Sequence, residues 1–211
     1  MRSVSNREEL GKFQPTAPNF MSIITSMVRS RDDFEKCLND GVIVERAFIK
    51  TMHHYGVPCL SNTSENVRKM DLKITDSSGN EIGVEIKKIG VPFRTAMRYV
   101  GLPSDKALTI TAHTISRYNS ENPDGRIFLA VDYTGEPNHT TKGLYSIKVK
   151  DAYDIFNNQP QRRHKYVHAR DNSKGHNSGE SFYVSTDECL KSPDHVFETL
   201  LYFIEQEFQN G

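Results

Sequence analysis

The stretch Met70-Asp71-Leu72-Lys73-Ile74, followed after Asp76-Ser77-Ser78-Gly79-Asn80 by Glu81-Ile82-Gly83-Val84-Glu85-Ile86-Lys87-Lys88, decides how the chain is read. Two runs with regularly placed aliphatic residues, joined by turn formers, predict a hairpin with strands over residues 69–76 and 81–89. Successive side chains of a strand leave from opposite faces, so Leu72 and Ile74 part from Asp71, and Val84 and Ile86 part from Glu85 and Lys87. With the aliphatic set of each strand sent to the core, Asp71, Glu85 and Lys87 share the remaining face, and Gly83 leaves space beside them. Two carboxylates and one ammonium then converge on a single spot.

That combination has a definite chemistry. A hard divalent cation takes oxygen ligands and retains several waters, so one or two carboxylates with a substrate phosphate make a suitable site. A neighbouring lysine can position water and neutralise charge on the phosphate, which are the parts needed for metal-assisted phosphodiester hydrolysis. The acid-x-Lys tripeptide alone is weak, because this composition supplies roughly two by chance, and the chain has two, Asp71-Leu72-Lys73 and Glu85-Ile86-Lys87. The setting of the second on a paired strand is what raises it, and the alternative is a solvated hairpin face carrying a salt bridge. Glu45 adds to the case. At about 100° per residue, Val42, Phe48, Ile49 and Met52 form one apolar arc of a helix, with Glu45 inside it and Arg46, Lys50 and His53 outside. A core-facing carboxylate is costly unless paired or metal-linked, so Glu45 is either an auxiliary ligand or base, or the partner of a cation such as Lys73.

Working outward, Ser30 and Asp33 predict a short capped helix reaching Leu38. Asn39-Asp40-Gly41 interrupts it before a second helical segment over residues 42–54, which stops at Gly56 and Pro58. Ser104 caps a helix reaching about Ser120, with Leu108, Ala112 and Ile115 at i, i+4 and i+7. Ile127-Phe128-Leu129-Ala130-Val131 is continuously apolar and reads as a central strand covered on both faces. Tyr145, Ile147 and Val149 alternate with polar residues as a half-buried strand, and residues 182–185 form another. Ser192-Pro193-Asp194 opens a terminal helix whose stripe is Phe197, Leu200, Leu201, Ile204 and Phe208. The fold class is α/β (α+β): a mixed central sheet flanked by helices. Residues 1–30 read as an N-terminal arm and 31–211 as a single domain.

The chain has 211 residues, 27 acidic and 27 basic, with 36% apolar residues. That suits a globular domain with a core of its own and excludes collagen-like, coiled-coil and disordered classes. Zero net charge excludes a protein basic over its whole surface, so any nucleic-acid site must be local. Three cysteines, Cys37, Cys59 and Cys189, fall far apart with no CxxC pair, which reads as reduced thiols. No apolar leader and no run long enough to span a bilayer is evident, and the expected location is the cytoplasm.

A helix with an inward acid, then Asp71, then Glu85-Ile86-Lys87 on the next strand, then a helix and an apolar strand, resembles the PD-(D/E)xK nuclease superfamily. Restriction endonucleases of type II share that fold. The resemblance covers residues 42–133. It implies a restriction endonuclease-like sheet, Mg²⁺ dependence with Mn²⁺ as a substitute, Asp71 and Glu85 as metal ligands, Lys87 as the catalytic lysine, and Glu45 as the helix acid found in some members. Met70 stands where the family pattern has proline. In RNA-cleaving, cap-snatching relatives of this fold a histidine from a preceding helix enters the site; His53 and His54 occupy such a position, or else simply meet the helix dipole.

Between Gln161 and His176, Arg162, Arg163, Lys165, Arg170 and Lys174 stand against one acid, Asp171, interleaved with His164, Tyr166, His168 and His176, within a polar loop over residues 157–181. This concentrates positive charge as a phosphate-gripping arm does; the alternative is a solvated basic loop. Together with Lys73 these cations are the candidate nucleic-acid-binding residues. His164 and His168 have HxxxH spacing, but no Cys or acid completes a zinc set. The leading expectation is a Mg²⁺-dependent endodeoxyribonuclease acting on DNA as a homodimer. The rivals are an RNA endonuclease and a catalytically silent nucleic-acid-binding or interaction module on the same scaffold.

Overall fold

The computed structural model describes residues 31–62, 70–165 and 180–210, with side chains from Asp40 to Gln209 within them. The arm expected over residues 1–30 lies outside them, as do Arg170 and Lys174. Helix α1 (Arg31–His54) leads into β1 (Cys59–Ser61), β2 (Leu72–Thr75) and β3 (Glu81–Ile89). A short helix α2 (Ala96–Val100), strand β4 (Ala107–Thr111) and helix α3 (Ala112–Glu121) precede β5 (Arg126–Asp132) and β6 (Lys142–Lys148). Helix α4 (Val149–Asn158), β7 (Arg163–Lys165), β8 (Glu180–Ser185), β9 (Leu190–Lys191) and helix α5 (Asp194–Asn210) complete the order.

A six-stranded sheet runs β1-β2-β3-β5-β6-β9, and a three-stranded sheet runs β4-β8-β7. β3 and β5 are parallel and the other pairs are antiparallel, so the larger sheet is mixed, as expected. The hairpin register sets Leu72 opposite Val84 and Lys73 opposite Gly83. One face of the large sheet buries Leu72, Val84, Ile86 and Leu144 against Phe48 of α1 and Phe197, Leu200 and Ile204 of α5. The opposite face buries Ile127, Leu129, Val131 and Ile147 against Ile115 of α3, Ala152 of α4, and Leu108, Ile110 and Phe182 of the small sheet. The apolar run of β5 is therefore covered on both faces, because its neighbours are strands and helices lie above and below.

Four expectations are corrected. Helix α1 is continuous through Asn39-Asp40-Gly41; a glycine costs a helix only about 1 kcal/mol, and packing against α5 over the next turns outweighs it. The helix expected from Ser104 begins only at Ala112, because Ala107-Leu108-Thr109-Ile110-Thr111 is a strand paired to β8. Its run of β-branched residues, Thr109, Ile110 and Thr111, suits a pleated surface better than a helix. Val149 starts a helix rather than ending a strand. The apolar arc of α1 is centred on Val44, Ala47, Phe48 and Thr51, and Val42 is 43% exposed. That rotation moves Glu45 from the middle of the arc to its flank.

Candidate active site

β3 delivers Glu85 and Lys87 to one face, as its alternation requires, and Val84 and Ile86 to the other. Asp71 sits at the bend where the chain enters β2, held by the Asn62 amide donating to the Asp71 carbonyl at 2.8 Å. Its carboxyl lies within hydrogen-bonding reach of Glu85. Glu85 is 7% exposed, and its Oε1 is 3.5 Å from the Lys87 ammonium. Lys87 Nζ also donates to Thr111 Oγ1, at 3.5 Å. The other oxygen of Glu85 accepts from the Tyr118 hydroxyl at 2.7 Å. Asp71, Glu85, Lys87, Tyr118 and Thr111 thus form one connected cluster at the hairpin.

Fully ionised, the cluster would carry more negative charge than Lys87 can neutralise. Burial, the charge of Glu85, the hydrogen bond with it and the charge of Glu45 together push the Asp71 carboxyl up to about 8, with Lys87 opposing. Glu45 is raised as well, by burial and then by Glu85. The Tyr118 phenol is driven upward by burial and by the Glu85 and Asp71 charges. Two carboxyl groups this close cannot both ionise cheaply unless a cation joins them. Glu45 feels the pair from the flank of α1 but does not close on it: among the described residues, no group of three or more His, Cys, Asp or Glu is arranged to hold a metal ion. A divalent cation bound here would have Asp71 and Glu85 as its carboxylate donors, with further positions left to water or substrate oxygens, as Mg²⁺ accepts.

Lys73 is not the partner of Glu45. Its ammonium is 2.7 Å from Glu81 on the exposed part of the hairpin. The space expected beside Gly83 is taken by Asn122, whose carboxamide a Cβ at Gly83 would strike. Nearby a cleft of about 300 Å³ is bounded by Met70, Gly83, Tyr118 and Asn122, with Lys73, Glu81, Asn62 and Glu121 at its walls. The basic residues of the loop are placed differently from the acids. The Arg163 guanidinium donates to the Phe156 carbonyl at 2.7 and 3.0 Å and lies over the Phe156 ring. Arg162 pairs with Glu188 at 3.3 Å, whereas Lys165 is exposed. His53 Nε2 is 2.8 Å from the Cys59 carbonyl and the His54 ring meets Tyr55 edge-on.

Two members of the cluster, Tyr118 and Thr111, were not anticipated. Tyr118 had a signal: it lies three residues after Ile115 on the buried stripe of α3, and a buried phenol needs a polar partner. Arg117 beside it, with its guanidinium 5.1 Å from the Tyr118 ring centre, has a buried Nε with no hydrogen-bond partner. Among the described residues no helix is long and apolar enough to cross a membrane.

No family model matches the chain, and no curated protein matches it. Among solved structures it is similar to D212, a nuclease from a fusselovirus, at 10% identity and a TM-score of 0.40, over 87% of this chain and 97% of that one. At that depth the likeness carries no argument, and function rests on the residues of the site.

Proposed function

We propose that the protein is a metal-dependent nuclease of the PD-(D/E)xK type that hydrolyses phosphodiester bonds, with DNA as substrate. The observation that carries this reading is the apposition of the Asp71 and Glu85 carboxyl groups beside the Lys87 ammonium in a largely buried corner of the sheet. Asp71 and Glu85 would hold Mg²⁺, or Mn²⁺ in its place, and the metal would supply Lewis acidity and a water of lowered pKa. Lys87, fixed between Glu85 and Thr111, orients the attacking water and offsets charge gathering on the phosphate. Tyr118 holds the Glu85 carboxylate in place by donating to it. Glu45, half-buried on α1, contributes negative charge that strengthens cation binding.

The test is incubation with supercoiled plasmid and with a structured RNA in Mg²⁺, Mn²⁺ or EDTA, beside Lys87→Ala. Cleavage of DNA that disappears with EDTA and in the variant is the expected result. Cleavage of RNA alone moves the substrate assignment, and intact nucleic acid throughout removes the reading.

A second reading, a nucleic-acid-binding module without catalysis, is favoured by one observation: Glu45 does not complete a three-carboxylate group with Asp71 and Glu85. It predicts salt-sensitive DNA binding with no heat of Mg²⁺ or Mn²⁺ binding lost on Asp71→Asn.

A further inference from the structure

The small sheet has two unlike faces. Leu108, Ile110, Phe182 and Val184 turn toward the large sheet and its helices. Residues directly opposite each other in an antiparallel pair share a face, and the register sets Thr111 opposite Ser181 and Ser181 opposite His164. All three are partly exposed. Because Thr111 Oγ1 accepts from Lys87 Nζ, this row of hydroxyls and imidazole starts at the catalytic cluster. It crosses β4, β8 and β7, about 10 Å at the usual strand spacing.

At its far end stands an aromatic group. Tyr183 is fully buried, and the Phe93 ring stacks on it with centroids 4.8 Å apart and planes at 21°. Tyr99 and His164 border Phe93, their own ring centres 4.7 Å apart. Tyr99 is 47% exposed, and the same short segment exposes Val91 by 59% and Met97 by 61%. The exposed Arg98 guanidinium lies 5.3 Å from the Tyr99 ring centre, and Lys165 is exposed at the end of β7. Aromatic surface bordered by cations and continuous with a phosphodiester site matches a nucleobase with its phosphate better than it matches an apolar protein segment, since rings stack bases regardless of sequence and the cations meet the backbone.

Resting on the nuclease reading and narrowing its substrate, we infer that this face of the small sheet binds an unpaired nucleotide adjoining the scissile phosphate, with Tyr99 as the stacking residue. The preferred substrate then carries a single-stranded segment beside the cut, as a tailed or frayed duplex does.

The protein has no tryptophan, so Tyr99→Trp places a lone reporter at the position in question. In EDTA its emission is expected to be quenched by an oligothymidylate single strand and by a duplex with an unpaired tail, and to be unaffected by a blunt duplex of the same length. Fluorescein-labelled oligothymidylate should bind Tyr99→Ala about tenfold more weakly than wild type, and Tyr99→Phe within about twofold. Unchanged emission, equal quenching by blunt duplex, or wild-type affinity in Tyr99→Ala overturns the assignment. These readings need no cleavage. Quenching in a protein that cuts nothing in Mg²⁺ or Mn²⁺ sustains Tyr99 as a base-stacking surface, removes the nuclease reading and overturns the placement beside a scissile phosphate. Metal-dependent cutting without quenching overturns the assignment and sustains the nuclease reading.

Discussion

The two sides of β3 do opposite work with the same backbone. On one side Val84 and Ile86 are sealed under α1 and α5 together with Leu72; on the other Glu85 and Lys87 meet Asp71, Tyr118 and Thr111. The first side is apolar and its packing stabilises the fold. The second concentrates charge in a low-dielectric corner, where each unpaired ion is destabilising. The strand tolerates this because burial on its far side, together with pairing to β2 and β5, holds the charged groups where they would not assemble by themselves. Stability and chemistry are separated by the pleat, one residue apart.

Substitutions that confuse or separate the two sides sharpen this contrast. The largest effect is expected on the charged side: Lys87→Ala should lower the cleavage rate about 10²-fold or more, the scale seen on removing one electrostatic stabiliser, and, because it leaves the buried Glu85 carboxylate without its cation, it should lower Tm only as a secondary effect. Leu72→Ala on the apolar side should do the converse. Its burial is complete, and truncation should cost about 2–5 kcal/mol, read as a lower Tm with the rate of the remaining folded enzyme nearly unchanged. A smaller effect is expected for Asp71→Asn. The folded-state pKa of Asp71 is raised from 3.8 to about 8, so its contribution to stability is fully present below about 4 and is lost as pH rises through 8. Without metal, the wild type should lose stability between about pH 4 and pH 8 relative to Asp71→Asn, by a few degrees in Tm, and Mg²⁺ should narrow the gap at high pH. The smallest is Lys73→Ala. Its pair with Glu81 is solvent-exposed and worth at most about 1 kcal/mol to the fold, so the expected change is a shallower salt dependence of DNA binding, by about one unit of slope.

How much of this could be read from residues depends on the range of the interactions concerned. The hairpin was legible because its cause is local: a period of two in each strand and turn formers between them. The terminal helix was legible for the same reason, through its cap and stripe. Strand β4 was not. Leu108, Ala112 and Ile115 imitate a helical stripe, and the partner that makes residues 107–111 a strand is β8, far along the chain. The orientation of α1 was misread by part of a turn for a similar reason: the arc that is buried depends on where α5 lies, and that choice exposed Val42. In the site, alternation pointed to Asp71, Glu85 and Lys87 without any tertiary information. Thr111 could not be found that way, because its contact with Lys87 depends on the misread strand.

The parallel pairing of β3 with β5 also has a consequence for when the molecule becomes competent. Antiparallel neighbours can zip together from a turn, but this pair must first close the excursion over residues 90–125, which contains α2, β4 and α3. Closing such a loop is paid in chain entropy before any contact rewards it. Asp71, Glu85 and Lys87 leave the ribosome early, yet Tyr118 and Thr111 come within reach of them only when the excursion has folded back. A nascent or partly unfolded chain therefore carries its acids exposed and unsupported, and the cluster of Asp71, Glu85, Lys87, Tyr118 and Thr111 is completed only after the excursion has folded back.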